Sequence, residues 1–411
     1  MPSNERIAII GSGIAGLSAA WLLCKDHQIT LYEKASKAGM GIYSVKVPNC
    51  NKTVDIPLRV FTPAYYPHLL ELYARAGVVT EKTNHSAAYA DENNRLFFHY
   101  GNLLLGGKSL SFPKHLSPNL LRLHVTTFQT LHANKDNTAL CQLNFDEFLT
   151  QTDLCNDFTK RILLPALATV CTCDYQDVLN YPADIIIKYL TCGVMEDGLL
   201  RAVDGVDDVI AKLLDPSVNL KTNIVINKIE RSENGVEIHT NDNTESYDRI
   251  IIATQPHHAA LLLGDSQQSS LLAQVPIAQS RMIVHTDANL LPPSLLPLAP
   301  VTYYLEEDAS RPEAAVHLNK AITELDCPTP LFQTWNPLRT PADGSMLADV
   351  KFDRPILTKQ SRQVITALRE QSASERILLT GSYLCDGIPL LDGAVQSSLR
   401  IAKLLNSSRA W

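Results

Sequence analysis

The chain has 411 residues, 45% of them hydrophobic and 19% charged, which suits two or three globular domains and excludes both a single small module and extended disorder. Its 36 basic and 43 acidic residues leave a formal charge of −7, and no basic run is long enough to follow a phosphate backbone, so nucleic acid is not an expected partner. Nine cysteines scattered without a framework spacing, and no secretory leader ahead of the first hydrophobic strand, predict a reduced, cytoplasmic protein.

The first 34 residues carry the clearest pattern. Ile7 to Ile10 form a continuous apolar run, as a strand buried on both faces requires, and Gly11-Ser12-Gly13-Ile14-Ala15-Gly16 follows at once. A helix over Leu17 to Cys24 and a second strand over Ile29 to Glu33 complete a βαβ unit. Tyr66 to Gly77 has helical spacing and a glycine stop. Residues from about 115 to 200 read as mostly helical, interrupted at Pro165 and Pro182. The segment 219–254 changes to successive strands, with Val225-Ile226, Val236 to Ile238 and Ile250 to Thr254 separated by Asn, Asp and Gly. Met282 to Leu305 holds His285, Asp287, Pro292, Pro293, Pro297 and Pro300, so it reads as a strand followed by an apolar proline-rich loop and not as a transmembrane span. A strand over Arg376 to Thr380 and a helix from Val395 to Leu405 close the chain.

In a turn of this kind each glycine has its own task. Gly11 permits the tight turn, Gly13 lets the backbone approach a pyrophosphate, and Gly16 lets helix and strand pack closely. The phosphates then meet the amide groups and positive end of the helix starting near Ile14. Glu33, 20 residues after Gly13, is positioned to accept hydrogen bonds from an adenosine ribose and disfavours a 2′-phosphate. The turn alone does not separate NAD from FAD. The end of the chain does, because Gly381-Ser382-Tyr383 and Asp392-Gly393-Ala394-Val395 supply a second strand, glycine loop and helix start suited to an extended FAD.

With Ile9 to Ala20, Glu33, Ile250 to Thr254, Gly381 and Asp392 to Ala402, the chain resembles the FAD-dependent amine oxidase and phytoene desaturase superfamily. Within it, Val54-Asp55, Arg59-Val60-Phe61, Leu163-Leu164-Pro165, His285 to Ala288 and Trp335-Asn336-Pro337 are most similar to a bacterial group of predicted NAD/FAD-binding oxidoreductases. Phe145 to Leu149 and Lys188 to Leu190 carry a more distant likeness to flavin-dependent polyunsaturated fatty acid isomerases. The resemblance implies an α/β fold, with a Rossmann-type FAD-binding domain (1–60, 205–265 and 375–411) and a discontinuous, mixed α+β substrate-binding domain (61–204 and 266–374). It implies FAD contacts from Gly11, Gly13, Ile14, Ala15, Gly16, Glu33, Lys34, Gly41, Arg59, Val225, Ile226, Thr254, Gly381, Ser382, Asp392, Gly393, Ala394 and Val395. Three positions depart from the family pattern, at Gly39-Met40-Gly41, Asp55-Ile56-Pro57 and Gly381-Ser382.

Flavin dehydrogenation asks for orientation and exclusion of water more than for an acid-base dyad. Trp335 and Tyr383 are the aromatics expected near the ring, and Arg59 the cation expected to stabilise its reduced form. The same residues also suit core aromatics and an ordinary ion pair. Adjacent His257 and His258 point apart at a helix start, and Cys171-Thr172-Cys173 lacks a second pair at zinc spacing, so no metal is expected. No nucleophile-elbow signature is present. The expected activity is an FAD-dependent oxidoreductase, whether desaturase, oxidase or redox-neutral isomerase, that takes hydride from a largely apolar small molecule. An amine oxidase using O2 and a catalytically silent flavin-fold binding protein are the alternatives.

Overall fold

The computed structural model describes residues 4–39, 44–50, 52–105, 108–115, 117–193, 198–233, 235–291, 295, 298–322 and 325–411. Gly41, Pro292, Pro293 and Pro297 therefore lie outside the described residues. A five-stranded parallel sheet runs in the order Asn219–Lys221, Gln28–Tyr32, Arg6–Ile10, Arg249–Ile252, Ile377–Leu379. Its strands come from distant parts of the chain, and the central one, Arg6–Ile10, has Ile7, Ala8 and Ile9 fully buried. Side chains alternate across a strand, so Ile7, Ile9, Ile29, Leu31, Ile251 and Leu378 join one core while Ala8, Ile10, Ile250, Ile252, Ile377 and Leu379 join another. That two-sided burial explains the unbroken apolar runs.

The first of these cores is covered by the helices Ile14–Leu23, Pro67–Ala76, Gly205–Leu213 and Leu391–Leu404. The first helix starts at Ile14, as the phosphate-site reading expects and three residues before the Leu17 of the βαβ reading, with Gly13 as its extended N-cap. The second ends where expected, at Gly77, whose φ of 77° places it in the left-handed region that glycine tolerates. The last helix begins at Leu391 and not at Val395, since Leu390 is the extended cap.

An eight-stranded sheet forms the second large element, in the order Met346–Pro355, Ile277–His285, Phe332–Trp335, Glu313–His317, Val301–Leu305, Ala87–Asp91, Leu96–Leu105, Lys108–His115. All its described pairings are antiparallel except that between Val301–Leu305 and Ala87–Asp91. Val301–Leu305, read from sequence as the end of a loop, is a strand because both its edges find partners. Helices Pro118–Ala133, Phe145–Gln151, Leu164–Cys171, Tyr175–Asn180 and Ala183–Thr191 fill the expected helical stretch. Phe145–Gln151 starts with a capping box between Asn144 and Glu147.

The expectation of an all-thiol chain is corrected: Cys50 and Cys327 form a disulfide with Cα atoms 5.9 Å apart. Their separation of 277 positions along the chain explains why spacing did not point to it.

His85 lies between the strands Thr80–Thr83 and Ala87–Asp91, and burial pushes its imidazole down to about 4. An unfolded imidazole titrates near 6.5, so below that value the unfolded chain binds a proton that the folded chain resists. Stability is full above pH ~6.5 and is lost as the pH falls toward ~4. His85→Gln is expected to remove about 1–3 kcal/mol of this acid-side loss. Urea denaturation of both proteins across this range measures it, and parallel stability curves would reject the assignment.

Candidate functional site

The carboxyl ends of the parallel strands open into a cavity of about 550 Å³. Clefts at that end of a parallel sheet are where such folds hold ligands. Gly11, Gly13, Ile14, Ala15, Glu33, Lys34, Val225, Ile226, Thr254, Gly381, Ser382, Tyr383 and Ala394 line it, together with Ile10, Leu261, Leu262, Arg354, Leu390 and Leu391. Two glycine-containing segments far apart in the chain thus border one space.

The glycines act in three different ways. Gly11 has φ of 96°, a conformation that L side chains rarely adopt. A Cβ on Gly16 would lie 1.8 Å from the Gly11 carbonyl oxygen, so this residue is required by packing. A Cβ on Gly13 would meet nothing within 4 Å, because that side faces the open cavity. The helix Ile14–Leu23 has no side-chain cap and no acidic residue in its first turn, which leaves its positive end free to meet an anion.

Glu33 holds the glycine turn from below. Its carboxylate accepts from Ser12 Oγ at 2.6 Å, Ser12 N at 3.1 Å and Ala35 N at 2.9 Å. Ser12 Oγ in turn accepts from Gly39 N at 2.5 Å. The acid therefore braces the turn as well as bordering the cavity. These residues fit a dinucleotide: an open glycine face, a helix start and an acid follow one another along the wall.

Several expected site residues lie elsewhere. Trp335 is a correction: it is 2% exposed, stands in the strand Phe332–Trp335, and its indole N–H donates to Ser280 Oγ at 3.1 Å. It does not line the cavity. The sheet interior pairs it with Met282 and Ala314, a packing role that a Trp-Asn-Pro run does not disclose. Asp392 accepts from Leu69 N at 2.8 Å and lies 2.9 Å from His68 Nδ1, so its carboxylate serves the start of helix Pro67–Ala76. A Cβ on Gly393 would come within 2.4 Å of Cys385 Cβ, and Val395 is fully buried, so both belong to the packing behind the wall. Gly16 is likewise behind it. Arg59 is also absent from the lining; its guanidinium interacts with Asp55, and burial lowers its proton affinity. Asp55 accepts from Val206 N at 3.2 Å, and burial raises its carboxyl above the usual range.

Several lining residues escaped the sequence reading, and two of them, His258 and Arg354, are ionisable. His258 faces the cavity while its neighbour His257 pairs with Asp353 at 3.2 Å. Burial, and then His257, push the His258 imidazole down. Arg354 is the last residue but one of the edge strand Met346–Pro355, and its Nε is buried with no hydrogen-bond partner. Burial lowers the proton affinity of its guanidinium, and the Arg59 charge adds to the effect. The one sequence signal was a lone arginine directly before Pro355 at the end of an alternating segment. Tyr383 Oη is also buried without a partner. Among the described residues, no group of three His, Cys, Asp or Glu side chains could hold a metal, and no helix is long and apolar enough to cross a membrane.

The fold and cavity define a Rossmann-type dinucleotide-binding α/β protein with a second, mixed α+β part. Residues 9–76 match the family model of the NAD(P)-binding Rossmann-like domain. The fold is that of the CLA-producing fatty acid isomerase from P. acnes, with a TM-score of 0.70 over 96% of this chain and 97% of that one at 16% identity. It is similar also to the cyclohexylamine oxidase from Brevibacterium oxydans, with a TM-score of 0.67, 13% identity and 98% of each chain covered. A redesigned putrescine oxidase gives 0.64 at 13% identity, covering 98% of this chain and 99% of that one. No curated protein matches the sequence.

Proposed function

We propose that the chain is an FAD-dependent oxidoreductase acting on a largely apolar small molecule, by net oxidation or by redox-neutral isomerisation. The observation that supports this most is that the glycine turn at Gly11 to Gly16 and the loop and helix start at Gly381 to Ala394 border the same cavity. One extended dinucleotide would touch both, with its ribose toward Glu33 and its ring toward Ser382 and Tyr383. Segments 1–60, 205–265 and 375–411 would bind the cofactor, and 61–204 and 266–374 would present the substrate. Helix Pro67–Ala76, although beyond the first of these boundaries, packs in the cofactor-side core. The oxidase and isomerase functions of proteins with this fold agree with this reading.

Bound FAD supplies a two-electron acceptor. The chain's own residues would do the rest. Backbone amides at the start of the helix Ile14–Leu23 would hold the pyrophosphate. Ile10, Leu390 and Leu391 would shield the reacting centre from water and align the donor carbon. Tyr383 would stand at the ring end as a wall residue with a free hydroxyl.

Purified protein is expected to be yellow and to release FAD on denaturation. Glu33→Ala is expected to weaken FAD binding by about 1.5–3 kcal/mol, because it removes a charged acceptor that also fixes the turn. A colourless protein that takes up no added FAD would overturn the assignment, and unchanged affinity in the variant would reject the role of Glu33.

A further inference from the structure

Charge is distributed unevenly along this acidic chain. No Asp or Glu occurs between Glu92 and Asp136, whereas Arg95, Lys108, Lys114, Arg122 and Lys135 all fall in that stretch. The stretch supplies two adjoining elements. Strands Leu96–Leu105 and Lys108–His115 form the outer hairpin of the eight-stranded sheet, with Lys108–His115 at its edge, and helix Pro118–Ala133 follows. The His124 ring of that helix lies 6.0 Å from Tyr100 and 5.1 Å from Phe158 between centroids, so the helix packs beside the hairpin's first strand.

This helix carries apolar residues on its outer side as well as its inner one. Leu120 and Leu131 are buried, and Leu123 and Phe128 pack against the core. Leu121 and Val125, four residues apart and therefore stacked on one face, are 46% and 43% exposed. Arg122 is exposed beside them, and its Nη2 donates to the neutral Asn119 Oδ1 at 3.1 Å. Among the described residues, Arg95, Arg122 and Lys135 have no carboxylate partner. The neighbouring hairpin is rich in apolar sequence, with Leu103, Leu104, Leu105, Leu110 and Phe112, and its register sets Leu103 opposite Leu110.

Single exposed apolar side chains are ordinary. Here two share a helix face with an arginine, inside a stretch without acids. That combination suits an interfacial helix, which sets apolar side chains into the headgroup boundary while its cations meet anionic lipid. A nucleic acid would call for a denser row of cations and no leucine among them. At a net charge of −7 the whole protein is not drawn to an anionic surface, so such binding must come from a local face.

We propose that the outer face of helix Pro118–Ala133, with the adjoining edge hairpin, docks on an anionic lipid bilayer as a peripheral, non-spanning contact. This holds whichever reaction the cavity performs.

The test sediments the full-length protein with vesicles of phosphatidylcholine alone and of phosphatidylcholine and phosphatidylglycerol in equal parts, at about 0.05 M and about 0.5 M salt. Binding to the anionic vesicles is expected to be at least tenfold tighter than to the neutral ones, and severalfold weaker at the higher salt. Leu121→Ser combined with Val125→Ser is expected to weaken it tenfold or more with an unchanged urea midpoint, since both positions are exposed. Arg122→Glu is expected to weaken it severalfold. Val125→Trp, which keeps an apolar side chain and serves if the serine variant fails to fold, is expected to shift its emission to the blue on anionic vesicles by more than the parent does. No binding, equal binding to both vesicles, full binding by both the serine and Arg122→Glu variants, or no added emission shift would each overturn the proposal. A lipid-free dimer that the serine variant dissociates would give the face to a second copy of the chain and overturn it as well.

Discussion

Gly16→Ala is expected to destabilise the protein by about 3 kcal/mol or more, whereas Gly13→Ala is expected to leave the stability of the cofactor-free chain within ~0.5 kcal/mol of the parent. The contrast comes from what each added methyl would meet. At Gly16 it would lie 1.8 Å from the Gly11 carbonyl oxygen, and backbone held in a turn cannot yield as the tip of a flexible side chain can. Helix Ile14–Leu23 would have to move away from its strand, loosening the core that contains Leu17, Leu22 and Ile9. At Gly13 the methyl would point into open cavity. Its cost would appear only with ligand, as a loss of dinucleotide affinity of tenfold or more, because it would occupy the space where phosphate should approach the amides. Urea denaturation of the cofactor-free proteins and FAD titration separate the two effects. Comparable stabilities of the two variants would mean that the turn is more compliant than its geometry implies.

Arg339→Ala is expected to cost about 3–5 kcal/mol, the range for removing one partner of a buried ion pair. Glu313 is 1% exposed and accepts from Leu338 N at 2.8 Å, from Arg339 N at 3.1 Å and from Arg339 Nε at 3.1 Å, with a further close contact from Arg339 Nη2. The same guanidinium lies 4.1 Å from the Tyr304 ring centroid. Alanine would leave a carboxylate in the sheet with only two backbone donors. Adding Glu313→Gln to Arg339→Ala is expected to recover part of the loss, because the buried charge disappears with its partner. Chemical denaturation of the single and double variants measures both steps. A loss below ~1 kcal/mol for Arg339→Ala would show that solvent reaches Glu313 readily.

Local punctuation made much of the dinucleotide side legible. The apolar run Ile7 to Ile10, the three glycines and Glu33 each report on their own backbone surroundings, and a helix start, a tight turn and a close packing contact involve neighbours only a few residues away. The stop at Gly77 was readable for the same reason. The expected site list was less secure wherever a residue type admits several partners. Asp392 was read as facing the cofactor, yet its carboxylate accepts from Leu69 N, 323 residues away. Trp335 was read as a wall residue, yet a sheet interior accommodates its ring and supplies Ser280 as acceptor.

By itself the sequence determined the βαβ unit, the glycine roles, the strand-rich change after residue 219 and the helical middle, because these depend on short-range sterics and on the periodicity of apolar residues. Only the tertiary structure decided which strands adjoin in the eight-stranded sheet, that Cys50 meets Cys327, and that Arg354 and Tyr383 border one cavity. Those outcomes depend on contacts between segments tens to hundreds of residues apart, where register and burial are set by the packing of whole elements. An arginine before a proline looks the same in sequence whether all of its head reaches water or part of it is buried without a partner; the fold around Arg354 buries its Nε.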